Sequence, residues 1–262
     1  SQVISFIGIN ASGKTTILKA ISFTIDMLGN EPLNNIYSKE ILDDLGDGQN
    51  VVFTVYFYHD NFIYKLNTVV QKAVFPMDGS ERLIIVDEAL WSKQSCRVKT
   101  KKGIFDFKES DLSIRRDQNE QFLPDDVSII ISFNKKNDTK ISLYDMSQLT
   151  DYNILNVLGR YPKEILTFLD PGINYLRCKR DGKEFDIRLK FFGKEEIQVN
   201  HPRVLNRYLS SGTIKGLNVF MGAMFAFGKG GYLVVDELEN HFNKEIVSTL
   251  IRLFMDKNVN RS

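Results

Sequence analysis

Apolar and polar positions along the chain predict a series of short elements. Val3-Ile4-Ser5-Phe6-Ile7 is an apolar, β-branched run and predicts a buried strand. Beyond it, Ile17, Leu18, Ile21, Ile25 and Leu28 fall on one helical stripe, which Gly29-Asn30 and Pro32 should end. Residues 31–50 are polar and turn-rich. Val51 to Tyr58 and Phe62 to Leu66 flank a polar turn at Asp60-Asn61, the pattern of a β-hairpin, and Leu83 to Val86 predicts a third strand of the same antiparallel block. The stretch 122–170 mixes the apolar run Val127 to Phe133 with short helical patterns near 140–170. Ile173 to Cys178, Phe185 to Phe191 and Glu196 to Val199, separated by turns at Asp181-Gly182 and Gly193, predict a meander. Residues 213–227 are apolar nearly all round, as in a buried helix, and Gly228 to Gly231 closes it. Tyr232 to Val235 then predicts a buried strand. A last helix near Lys244 to Met255 carries a stripe at Ile246, Val247, Leu250, Ile251 and Phe254. No repeat, low-complexity segment or sustained heptad is present.

The first strand and first helix enclose Gly8-Ile9-Asn10-Ala11-Ser12-Gly13-Lys14-Thr15, which fits the phosphate-cradling pattern G-x-x-x-x-G-K-S/T. A chance glycine-rich turn is the alternative, and the flanking strand and helix argue against it. A helix start offers N–H groups and a positive dipole end to phosphate. Gly8 and Gly13 permit close backbone approach, Lys14 reaches phosphate oxygens, and the Thr15 hydroxyl suits Mg²⁺. Asn10, Ala11, Ser12 and Thr16 complete the candidate binding loop.

Such a loop needs a carboxylate at the end of a buried strand, often followed by a glutamate able to take a proton from water. Leu83-Ile84-Ile85-Val86-Asp87-Glu88 and Leu233-Val234-Val235-Asp236-Glu237 both qualify by pattern. The first belongs to the antiparallel block. The second follows a buried helix and precedes another, as a parallel central strand does, and ligands gather at the carboxyl ends of such strands. Asp236 is therefore assigned to Mg²⁺ and Glu237 to general-base catalysis together with Lys14 at the phosphates; Asp87 and Glu88 are read as structural. Leu209-Ser210-Ser211-Gly212-Thr213 lies at a helix entrance and reads equally as an N-cap or an anion site. Asn134-Lys135-Lys136-Asn137 approaches the guanine-reading N-K-x-D but carries Asn137 at the aspartate position, which favours ATP over GTP.

Composition narrows the class. Of 262 residues 43% are apolar, with 19 Phe and 10 Tyr, enough for a sizeable core and contrary to disorder. A net charge of +1 excludes a global field for nucleic acid or membrane, so any such surface is local. Its one candidate is 92–102, with Lys93, Arg97, Lys99, Lys101 and Lys102 and no acid, which reads first as a solvated loop and second as a phosphate-contacting patch. Cys96 and Cys178 read as free thiols. No apolar run approaches a membrane span, and the chain opens on its strand without a signal peptide, so a cytoplasmic protein with no membrane partner is expected.

The order of phosphate loop, antiparallel insert, L-S-S-G-T, helix and Y-L-V-V-D-E-L-E-N-H resembles the ABC-type AAA ATPases of the OLD, RloC and abortive-infection group, and more distantly the RecF and SMC heads. The resemblance spans most of the chain and is strongest over 3–28 and 205–255. It implies an α/β P-loop NTPase fold: a central mostly parallel sheet, an antiparallel β subdomain and a helical segment. One ATPase domain would cover 1–262, with a P-loop part at 1–30, an antiparallel insert at 50–90, a helical or irregular insert at 91–170 and a signature and Walker B part at 171–262. It implies ATP and Mg²⁺ as cofactors, hydrolysis by a homodimer or higher homo-oligomer, and Ser210, Ser211 and Gly212 contacting the γ-phosphate held by a second head. It also implies an anti-phage role controlling an effector protein (a nuclease or toxin), with a DNA-binding maintenance ATPase as the alternative. Phe242-Asn243-Lys244 departs from the Leu-His-Pro of relatives, and His241 is not assigned catalysis. The segments that relatives carry before the first strand and after the last helix are not seen, so flanking segments are expected to be missing. Gln71 is the candidate Q-loop glutamine.

Overall fold

The computed structural model describes residues 3–8, 12–46, 48–75, 79–116, 123–147, 154–156, 158–182, 184–238 and 242–260. The chain divides into two compact units, one formed by residues 1–18 with 142–262 and the other by the continuous stretch 19–141. The first helix, α1 (Lys14–Leu28), begins in the first unit and ends in the second.

The 19–141 unit is built on an antiparallel sheet of four strands in sequential order: β1 (Asn50–His59), β2 (Phe62–Val74), β3 (Glu81–Gln94) and β4 (Leu112–Arg115). The β1–β2 hairpin forms where alternation placed it. Asp60 and Asn61 both adopt positive φ, 44° and 65°, the left-handed pair that a two-residue hairpin turn demands. Val51, Phe53, Val55 and Phe57 point inward along β1, and the intervening Val52, Tyr56 and Tyr58 point outward and are exposed. Phe23 and Met27 of α1, Leu33 and Leu42 of two 3₁₀ segments with Ile36 between them, and Ile130 and Phe133 of α2 (Ile130–Asn137) close the core over this inner face.

β3 runs well past Val86. Asp87 and Glu88 stand inside the strand, opposite Val69 and Thr68 of β2. Glu88 faces inward at 0% exposure. Its carboxylate accepts hydrogen bonds from the Thr68 hydroxyl (2.7 Å), the Ser128 hydroxyl (2.6 Å) and the Ile129 backbone N–H (2.8 Å). The Arg116 guanidinium lies 3.8 Å away and also donates to the carbonyls of Val127 and Pro124. Burial pushes the Glu88 carboxyl above its ordinary range, against the opposing pull of those donors and of Arg116.

In the other unit, β6 (Gly159–Arg160), β7 (Ile173–Asp181), β8 (Glu184–Phe191) and β9 (Glu196–Val199) form a second antiparallel sheet. Its inner face packs with α3 (Lys163–Leu169) and the first half of α4 (Ser211–Lys229) through Leu166, Ile173, Leu176, Ile187, Leu189, Ile214 and Leu217. The second half of α4 lies on a parallel pair, β5 (Leu143–Asp145) and β10 (Tyr232–Val234), with α5 (Lys244–Met255) completing that core through Leu250. The approach is close at Gly222, where a Cβ would fall 2.5 Å from the Tyr144 ring of β5.

Two expectations are corrected. The described sheets are not mostly parallel: eight of the ten strands belong to the antiparallel sheets and only β5 and β10 run parallel. Residues 3–7, expected as a buried strand, are in no strand, with Ile4 72% and Ile7 94% exposed. An apolar, β-branched run becomes a strand only where a neighbouring backbone completes its ladder, and among the described residues none pairs with it.

Candidate nucleotide site

α1 starts at Lys14 directly from the loop. Gly13 adopts φ 82°, and its carbonyl accepts the first helical bond, from the Ile17 N–H. A left-handed residue immediately before the helix requires glycine, although a Cβ there would meet nothing within 4 Å. The first turn, Lys14-Thr15-Thr16-Ile17, carries no acid. No carboxylate of that turn therefore competes for the positive end of the helix. Ser12, Gly13, Thr15 and Thr16 are exposed and Lys14 is half-buried, its ammonium donating to the Gly8 carbonyl at 2.9 Å. Asn10 and Ala11 lie outside the described residues.

The decisive contact is between Thr15 and Asp236, 221 positions apart: the Thr15 hydroxyl donates to Asp236 Oδ2 at 2.7 Å. β10 ends at Val234, so Asp236 sits just past its carboxyl end, whereas Asp87 and Glu88 lie mid-strand. Asp236 Oδ1 accepts the Glu237 N–H at 2.9 Å. That bond secures a turn in which Glu237 takes φ 50°, a left-handed conformation costing a non-glycine residue about 1–2 kcal/mol. The Glu237 residue is exposed.

The geometry fits a magnesium ion. Neighbouring ligands of octahedral Mg²⁺ are about 2.9 Å apart, given Mg–O distances near 2.0–2.1 Å. The Thr15 and Asp236 oxygens already stand at 2.7 Å. One hydroxyl and one carboxylate are also what Mg²⁺ takes from a protein when phosphates and water supply the rest. Among the described residues no group of three or more His, Cys, Asp or Glu stands together as a metal cage.

Ser210 has the capping role that its position allowed. Its side chain accepts the Thr213 N–H at 3.0 Å and pairs with the Thr213 hydroxyl at 2.8 Å, with Ser211 and Gly212 opening α4. Asn243, one of the departures from the resembling group, caps α5 by accepting the Ile246 N–H at 2.9 Å; His241 lies outside the described residues. Gln71 stands inside β2 opposite Asn50 and Ile84, not in a loop. The sequence reading missed Asp145, which ends β5 in register with Val234 of β10 and so lies at the same carboxyl edge as Asp236. Leu143-Tyr144 was too short an apolar run to signal that strand.

Over residues 3–261 the chain matches the family described as "AAA domain, putative AbiEii toxin, Type IV TA system", and it belongs to that family. No curated protein and no solved structure matches it. No helix among the described residues is long and apolar enough to cross a membrane.

Proposed function

With membership of that AAA family as the premise, we propose that the chain binds ATP with Mg²⁺ and hydrolyses it. The observation supporting this most directly is the 2.7 Å contact between Thr15 and Asp236, which joins the phosphate loop to the acidic strand end. In this reading residues 8–16 and the α1 N-terminus hold the phosphates, Lys14 neutralises their outer oxygens, and Thr15 and Asp236 hold the metal. Bound Mg²⁺ supplies further charge neutralisation at the β- and γ-oxygens. Glu237, exposed on the turn that Asp236 braces, accepts a proton from the attacking water. Ser210, Ser211 and Gly212 complete the site of a second copy in a homo-oligomer. The description of the family, together with the resemblance to abortive-infection proteins, supports a place in anti-phage defence as the ATPase that controls a toxic effector.

Turnover and binding measured on Glu237→Gln test the chemistry. ATP hydrolysis falls by about 10²–10⁴-fold, the usual worth of a positioned base, while ATP binding persists. Undiminished turnover in that variant removes the assignment. Sedimentation of the same variant with saturating ATP tests the shared site: a dimer is expected, and a monomer eliminates the second-copy role of Ser210 to Gly212.

A further inference from the structure

We propose that the outward face of the β1–β4 sheet is a platform for single-stranded nucleic acid, with bases stacking on Tyr58 and Phe105 and phosphates meeting Arg97, Lys99, Lys101 and Lys102. The register builds the face. Tyr56, Lys65 and Trp91 form one row across β1, β2 and β3, and Tyr58, Ile63 and Lys93 form the next. The Lys65 ammonium sits 4.7 Å from the Trp91 ring centroid. Lys93 fixes the following loop. Its ammonium lies 3.8 Å from the Phe107 ring centroid and donates to the carbonyls of Gly103 and Asp106. Held there, Phe105 packs edge-on against Tyr56 with ring centroids 5.0 Å apart.

Two aromatic rings remain open on this face: Tyr58 is 63% exposed and Phe105 is 58% exposed. Grouped exposed aromatics mark a binding surface rather than scatter. Charge selects the occupant. From Ala89 to Phe105 the chain holds five cations and no acid, although the whole molecule nets only +1. Arg97, Lys99, Lys101 and Lys102 make no ion pair with any described residue. Arg115, by contrast, lies 3.7 Å from Asp87, and Asp111 caps its own turn by accepting the Lys108 N–H. Open rings on this face, with cations in the adjoining loop that make no described ion pair, fit a polyanion that presents flat faces. In a duplex the base faces are already stacked, whereas a single strand offers them.

The test is fluorescence anisotropy on the full chain without nucleotide, which separates it from the ATPase reading. The probes are labelled oligothymidylate and oligouridylate of about 16 nucleotides and a duplex of equal length, titrated between about 50 and 200 mM salt. Single strands should bind more tightly than the duplex, and the DNA and RNA arms show which sugar is preferred. Replacing Lys99, Lys101 and Lys102 together by Gln should reduce the slope of log K against log salt by about 2, at about 0.7 per lost phosphate contact. Tyr58→Ala and Phe105→Ala should each weaken binding by about 5- to 150-fold, while Tyr58→Phe keeps affinity. Thermal unfolding of the exposed-ring variants should match that of the parent chain. Absence of binding at low salt, equal or tighter duplex binding, or full affinity in both alanine variants overturns the proposal.

Discussion

Replacing Glu88 separates its role from that of Glu237, because the two glutamates share a sequence pattern and differ in surroundings. In Glu88→Ala three donors lose their acceptor: the Thr68 hydroxyl, the Ser128 hydroxyl and the Ile129 N–H. Each buried orphan costs about 1–3 kcal/mol. Ser128 already accepts the Ile130 N–H and its hydroxyl can reorient, so the losses overlap. Arg116 also loses its countercharge while its side chain is only 7% exposed, which by itself places the cost of breaking a buried pair at about 3–5 kcal/mol. We take about 3–5 kcal/mol for the whole substitution, a large share of the roughly 5–15 kcal/mol that stabilises a native chain. At about 2–4 °C per kcal/mol, the midpoint should fall by about 6–20 °C. Glu88→Gln should cost far less. Its amide oxygen can accept the Ile129 N–H, its amide nitrogen can donate to the two hydroxyls, and Arg116 retains the Val127 and Pro124 carbonyls at 2.7 Å each. Differential scanning fluorimetry with urea titration reads both variants, and ATP turnover of Glu88→Gln should stay at the parent level. The pH dependence follows from the raised carboxyl. The folded state holds the Glu88 proton more tightly than the unfolded chain, whose value is near 4.5. This contribution to stability is therefore complete below that value and is lost as pH rises through the higher folded one. Glu88→Gln should flatten that part of the profile. A Glu88→Ala protein as stable as its parent would show that water solvates the vacated site and would refute the clamp.

Two further substitutions or probes follow from packing. Gly222→Ala should destabilise by about 1–3 kcal/mol in urea unfolding, because its methyl would meet the Tyr144 ring at 2.5 Å and force α4 or the ring to shift; an unchanged midpoint would mean that the ring swings aside freely. Burial pushes the Cys178 thiol up to about 12, while Cys96 is exposed, so a thiol reagent at neutral pH should label Cys96 in the folded chain and reach Cys178 only on unfolding, as peptide mapping would show.

The hairpin, the meander and the helices α1, α4 and α5 were legible because their signals are local. Alternation, a left-handed turn pair or an apolar stripe needs only a few consecutive residues. The Thr15–Asp236 contact was legible for a different reason: the phosphate-loop pattern calls for a carboxylate at a strand end to pair with its hydroxyl. Three features were hidden. The charged Asp87 and Glu88 interrupted the apolar run of β3, so its continuation to Gln94 did not show. β5 has three residues and too little periodicity to signal a strand. Residues 3–7 have strand-like composition, but composition carries no information about a pairing partner, and the described structure leaves the run exposed. The sequence also could not separate capping from ligand binding at Ser210; the structure shows the cap, and the role toward a second copy rests on the resemblance.

The Thr15–Asp236 contact also orders events at the ribosome. At about 5–20 residues per second, the 221 positions between its ends take roughly 10–45 s to synthesise. Over that interval the continuous 19–141 stretch can emerge and fold as a unit, whereas the discontinuous unit waits for its later part. A nascent chain that has exposed Lys14 and Thr15 thus lacks the carboxylate that Thr15 meets in the folded protein. Any ligand requiring both halves stabilises the finished chain by mass action and gives the growing one no help.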